Sequence, residues 1–101
     1  MGKAHKTMES IITDRMDECF VCHRPAEEIH HIIFGTANRD LSDKFGLVIP
    51  LCAYHHRIGP YAAHKNKAAN EYLKALAQRR FKEVWKDYDF VQVFGKDYSN
   101  E

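Results

Sequence analysis

The sequence predicts a small α+β domain stapled by a bound metal, and three observations carry that expectation. Four soft ligands fall in two close pairs, Cys19/Cys22 and Cys52/His55. Two short β-branched runs lie between the pairs, and a long amphipathic pattern follows them from about Asn66. At 101 residues the chain is one domain with a core that is modest for its surface, so a metal would add stability that apolar burial supplies sparingly. No repeat or low-complexity stretch divides it, and the expected organisation is an arm over 1–18, the metal-bearing domain over 19–88 and a tail over 89–101.

Residues 1–18 show no clear period, and only Ile11-Ile12 looks able to dock on a core. Cys19 to Pro25 reads as a tight metal knuckle. Glu28 to Phe34 suits a buried strand that Gly35 ends. Gly35 to Gly46 is polar and turn-rich and reads as a long loop. Leu47 to Cys52 is then a second strand, with Pro50 at an edge or strand end, and the two strands make an open hairpin. Tyr54 to Ile58 begins a helical turn that Gly59-Pro60 interrupts.

The long helix opens at Asn66, whose side chain is of the N-capping type. Ala69, Tyr72, Leu73, Leu76, Ala77, Phe81, Val84, Trp85 and Tyr88 recur at spacings of three and four and form the expected core face. Lys74, Gln78, Arg79, Lys82, Glu83 and Lys86 take the opposite face. In the tail, Phe90-Val91-Gln92-Val93-Phe94 alternates like a short edge strand.

Three cysteines cannot all pair within one chain, and the first residues lead into no apolar run long enough for a signal peptide or a membrane span. A reducing cytosolic compartment with no membrane partner is therefore expected, and the cysteines are ligands rather than disulfides. The net charge is only +1, but residues 46 to 86 carry eight basic side chains against two acidic ones. Such a face is the footprint that a phosphate backbone requires, although a charge run on a helix is also an ordinary solvated surface.

Each close pair can bite one ion from a single turn, which is what a tetrahedral zinc site asks of Cys19, Cys22, Cys52 and His55. Cys19-Phe20-Val21-Cys22-His23 also has the form of a haem attachment site, but that reading leaves the second pair unexplained. A thioredoxin-like redox pair fails because the segment does not sit between a strand and a long helix. The quartet leaves His30, His31 and His56 without structural duty. Successive strand residues face opposite ways, so His30 and His31 can serve one site only if the strand ends or bends there. Successive residues of a helical turn stand about 100° apart, so His55 can face the knuckle while His56 faces another cleft.

The order Cys-x-x-Cys, Glu28-Ile29-His30-His31-Ile32, then Leu51-Cys52-Ala53-Tyr54-His55-His56 resembles the HNH (His-Me finger) endonucleases, in which a ββα-metal core lies between two zinc half-sites. Phe34-Gly35-Thr36-Ala37-Asn38-Arg39, Ser42-Asp43-Lys44-Phe45-Gly46-Leu47, His64-Lys65-Asn66-Lys67 and Val93-Phe94-Gly95-Lys96-Asp97-Tyr98 are similar to small HNH proteins encoded by bacteriophages and prophages. The resemblance covers Cys19 to Tyr98. It implies that His31 is the general base, that His30 and His56 hold a catalytic divalent cation, and that His64 is a further candidate ligand. The Asn that orients the catalytic imidazole in the family usually lies just before the second strand. Here that stretch is Phe45-Gly46-Leu47, and Asn38 is the nearby substitute.

What the resemblance implies is metal-assisted hydrolysis of phosphodiester bonds in DNA, with magnesium or manganese as the expected catalytic ion beside the structural zinc. The setting is the cytoplasm of a bacterial host, and the oligomeric state stays open. Arg39 or Arg57 would supply positive charge at the phosphate, while Lys65, Lys67, Arg79 and Arg80 would hold the backbone without reading sequence. The alternative is a non-catalytic zinc-stabilised module that binds DNA or a protein.

Overall fold

Residues 9–35 and 37–99 are described by a computed structural model, so the first eight residues of the expected arm lie outside the described residues. Strand β1 (Glu28–His31) leads into helix α1 (Asn38–Phe45) and strand β2 (Val48–Leu51). A π-helical turn (Tyr54–Ile58), helix α2 (Lys67–Val84) and helix α3 (Phe90–Phe94) follow. The strands pair antiparallel with Ile29 opposite Pro50 and His30 opposite Ile49. The described residues are thus α+β, with a two-stranded sheet whose β2 is buried along its whole length.

Strand β1 is shorter than the expected run to Phe34. One more ladder bond, Ile32 N–H to Leu47 O at 3.0 Å, closes the pair. Beyond it Ser42 takes over: its hydroxyl donates to Ile33 O at 2.6 Å and accepts from Ile33 N–H at 3.2 Å. Buried backbone polar groups need such partners, and a serine on the next element supplies both. That element corrects the expected loop, because eight of its residues form α1. The helix is masked in the sequence by Arg39, Asp40, Asp43 and Lys44, and it buries only Ser42 and Phe45. It stops at Gly46, whose φ of 78° lies in the left-handed region and where a Cβ would stand 3.1 to 3.2 Å from Ile11 and the Glu9 carbonyl.

Asn66 caps α2 as its sequence predicts, accepting from Ala69 N–H at 2.8 Å. The buried seam runs through Leu73, Ala77, Gln78 and Phe81, while Tyr72, Val84 and Tyr88, assigned to the core by spacing, are exposed. Gln78, expected on the polar face, is buried because its amide clamps the C-terminal segment. It donates to Asp97 Oδ1 at 2.9 Å and accepts from Tyr98 N–H at 2.6 Å.

The expected edge strand at Phe90–Phe94 is instead α3. Two phenylalanines one helical turn apart pack their rings on Phe81, at 5.4 and 6.0 Å between centroids, and this aromatic packing outweighs the alternating pattern. Within the expected tail, Phe90 and Phe94 join the core cluster, and Val93 and Tyr98 pack against it. At the other end Ile11 and Ile12 pack against the core as expected. Ile11 N–H donates to Gly46 O at 2.9 Å, and the Arg80 guanidinium holds the Ile11 carbonyl from two nitrogens, at 3.0 and 3.1 Å. Among the described residues no helix is long and apolar enough to cross a membrane.

Candidate metal centres

Two groups of metal-ligating side chains flank the π-helical turn. In the first, Cys19 and Cys22 sit on a knuckle closed by Cys19 N–H to Arg24 O at 2.7 Å and His23 N–H to Cys19 O at 2.9 Å. The knuckle is pinned to the sheet by Phe20 N–H to Pro50 O at 2.8 Å. Cys52 follows β2 directly, and His55 lies one turn further on. The contacts are Cys22 Sγ to Cys52 Sγ at 3.8 Å, Cys52 Sγ to His55 Nδ1 at 3.4 Å, and Cys19 Sγ to His55 Nδ1 at 3.9 Å.

All four donor atoms lie within 4.8 Å of one another, and none of the cysteines forms a disulfide. Metal bonds of about 2.0 to 2.3 Å in a tetrahedron put ligand atoms about 3.4 to 3.8 Å apart, so the group could hold a metal such as zinc with little movement. The backbone at Arg24 holds the Cys22 thiol below its ordinary value, whereas burial pushes Cys52 up. A coordinated thiol gives up its proton in either case.

The second group is His30 from β1, His56 from the π-helical turn and His64 beyond it, again with one ligand atom of each within 4.8 Å of the others. Ring centroids are 4.7 to 5.0 Å apart. His55 and His56 part company as their spacing requires, one to the sulfurs and the other to the imidazoles. His64 is brought in by two backbone bonds across the turn, Ala63 N–H to His55 O at 2.9 Å and His64 N–H to His56 O at 3.0 Å.

Both ring nitrogens of His30 are buried without a hydrogen-bond partner among the described residues. Leaving polar nitrogens unpaired is costly, and a ligated ion is one way to satisfy them. Burial, reinforced by His56 and His64, pushes His30 down to about 3, so it is a neutral donor. His56 in turn donates its Nδ1–H to Glu28, which fixes the tautomer and leaves Nε2 for a ligand. Arg57 grips the same carboxylate, its Nε 3.1 and 3.2 Å from the two oxygens, and with His56 lowers Glu28 to about 2. The donors are three imidazoles, a set that suits zinc, nickel, copper or iron better than the expected magnesium or manganese, which favour oxygen.

His31 points elsewhere. Strand β1 ends at this residue, and its Nε2–H donates to Asp43 Oδ1 on α1 at 3.0 Å, leaving Nδ1 to accept a proton. His31, His56, His64, Phe34 and Arg39 line one cleft of about 380 Å³. Asn38, expected beside the imidazole of His31, is not brought to it: its Nδ2 donates to Phe94 O at 3.2 Å. Asp43 is the residue that sequence reasoning missed, because its role exists only once α1 forms.

Most of the six cations expected at DNA meet partners within the chain. Arg57 is committed to Glu28, Arg80 to Ile11 and Glu83, and Lys67 faces Glu71 at 3.8 Å. Lys65 reaches Ile58 O at 3.4 Å, Arg79 lines a groove on the outside of α2 with Glu71 and Tyr72, and Arg39 alone of the six lines the imidazole cleft. Compared with family models, with curated proteins and with solved structures, the chain finds no match, so its assignment rests on the geometry of these two centres.

Proposed function

We propose that the chain is a metal-dependent endonuclease of the HNH type acting on DNA, with β1, β2 and the π-helical turn as its ββα-metal core and zinc on the cysteine-rich quartet. The observation that carries the reading is the shared cleft: His31, braced by Asp43, opens onto the same space as His56 and His64. His31 Nδ1 takes the proton from the water that attacks phosphorus, and Asp43 keeps the ring in the tautomer and orientation that this needs. A divalent ion on His30, His56 and His64 would supply the positive charge that stabilises the phosphate and the departing oxygen. Arg39, on the cleft wall, adds a cationic partner for a phosphate oxygen. The imidazole donors favour a transition-metal ion at this centre.

Supercoiled plasmid nicking by the zinc-loaded protein tests the reading. Nicks with 5′-phosphate and 3′-hydroxyl ends, dependent on added nickel, cobalt, manganese or extra zinc and stopped by chelation, are expected. A second reading, a zinc-stabilised binding module without activity, draws on the withdrawal of Asn38 to Phe94, and absence of nicking with every ion would leave that reading standing.

Glu28 gives a sharper check on the ligand set. Glu28→Ala is expected to lower metal affinity at the imidazole centre by about 10–100-fold, as loss of a carboxylate behind a ligating histidine does. The zinc of the quartet should stay at one equivalent. Metal titration followed by the visible spectrum of bound cobalt measures both, and unchanged affinity at the imidazoles would remove His56 from the set.

A further inference from the structure

From Phe34, on the wall of the imidazole cleft, a rim of alternating aromatic rings and ammonium groups leads away. Phe34, 37% exposed, packs its ring 5.3 Å from that of His64. Lys74 Nζ stands 4.6 Å from the Phe34 centroid and 5.1 Å from that of Tyr98, and Lys96 Nζ lies 5.4 Å from the Tyr98 centroid. Gly35, next to Phe34, has a φ of 116°, and among the described residues nothing outside its chain neighbours comes within 4 Å of where a Cβ would stand.

The rim is not an internally balanced ion network. Burial and the neighbouring Lys96 both press the Lys74 ammonium down, and the acidic group that opposes them, Glu71, already faces Lys67. Like charges held together over aromatic faces make a place for an anion with a flat, apolar appendage. A nucleic acid strand has both, phosphates for the lysines and bases for the ring. In a duplex the bases cover one another's faces, and only an unpaired one can offer a face to Phe34.

We infer that the rim formed by Phe34, Lys74, Tyr98 and Lys96 is the path of an unpaired strand, in which Phe34 stacks a base next to the phosphate at His31 and the two lysines hold the backbone beyond it. This deepens the nuclease reading by naming its substrate as single-stranded or locally opened DNA, and for the placement of the phosphate it rests on that reading. It also moves the backbone grip from the outer face of α2 to the cleft.

The test is equilibrium binding, with no cleavage step in it. The full zinc-loaded chain carrying His31→Ala, which keeps the strand intact, is titrated with a fluorescent oligothymidylate and with a duplex of equal length. Single-strand affinity should exceed duplex affinity by about tenfold or more. Phe34→Ala should lower it by roughly tenfold and leave the duplex unchanged, while Phe34→Trp keeps it. Lys74→Gln with Lys96→Gln, a pair that leaves the ring in place, should reduce the salt slope by about 1.4, two single-strand phosphate contacts. Equal affinity for both substrates, an unaffected Phe34→Ala, or an unchanged slope in the lysine pair would each overturn the path. Single-strand preference in a protein that never nicks DNA retains the path and discards the nuclease. Nicking by a protein whose Phe34→Ala form binds normally does the reverse.

Discussion

His31→Ala is expected to lower the rate of plasmid nicking by about two to four orders of magnitude, with DNA affinity and the circular dichroism spectrum close to those of the parent. The size follows from the usual worth of a positioned general base, and the selectivity from its being used only in the transition state. The ring is buried beside Asp43, which meets its Nε2, and it belongs to neither group of candidate metal ligands, so its loss leaves both sets of donors complete. Asp43→Ala should fall between parent and His31→Ala, because the base is retained but its ring is no longer held. The loss should appear in kcat and not in KM. His56→Ala provides the contrast, since an ion still reaches two of three imidazoles and excess metal should restore part of the rate. Parent-level nicking by His31→Ala would remove it from the reaction, and metal rescue of His31→Ala would make it a ligand instead of a base.

The parts of this site that the sequence made legible are those whose logic is local. Cys19/Cys22 and Cys52/His55 declare themselves because each pair spans one turn, and no fold needs to be known to see that both can hold one ion. The parting of His55 and His56 follows from the angle of about 100° between successive residues of a helical turn. Asn66 and the spacing of Leu73, Ala77 and Phe81 foretell α2 for the same reason.

What was hidden depends on contacts made across the fold. Five residues, Phe90 to Phe94, satisfy a period of two and a period of four equally, and the rings of Phe81 and Phe45 choose the helix. Helix α1 buries a serine and a phenylalanine, too little apolar pattern to notice, and with α1 unseen Asp43 could not be found. A count of basic residues is blind to partners, so it could not tell Arg39, which lines the cleft, from Arg57 and Arg80, which hold Glu28 and Ile11. The Lys-rich surroundings of His64 do not reveal its neighbours, because two backbone bonds back to the turn place it.

Removing the metal from the quartet is expected to unfold the whole domain. Its ligands come from residues 19–22 and 52–55, with Cys22 and Cys52 thirty residues apart, and the loop they close contains β1, α1 and β2. Structural zinc in small peptides contributes about 10–16 kcal/mol of apparent binding energy at neutral pH, as much as the entire stability of a typical domain, about 5–15 kcal/mol. A chain with so small a core should not tolerate that loss. Failure should also spread to the other centre, since His55 and His56 are neighbours on one turn and releasing the first frees the second. The purified protein should therefore carry one tightly held zinc and accept a second, weaker ion at the imidazoles. A strong chelator should remove both, with loss of helical circular dichroism, and one equivalent of zinc should restore the spectrum. Cys52→Ala should not refold with that equivalent, whereas His64→Ala should remain folded and retain it, which separates the stapling centre from the working one. A zinc-free chain with the spectrum and melting temperature of the loaded form would show that the apolar core stands alone and that Cys19, Cys22, Cys52 and His55 have some duty other than holding the fold.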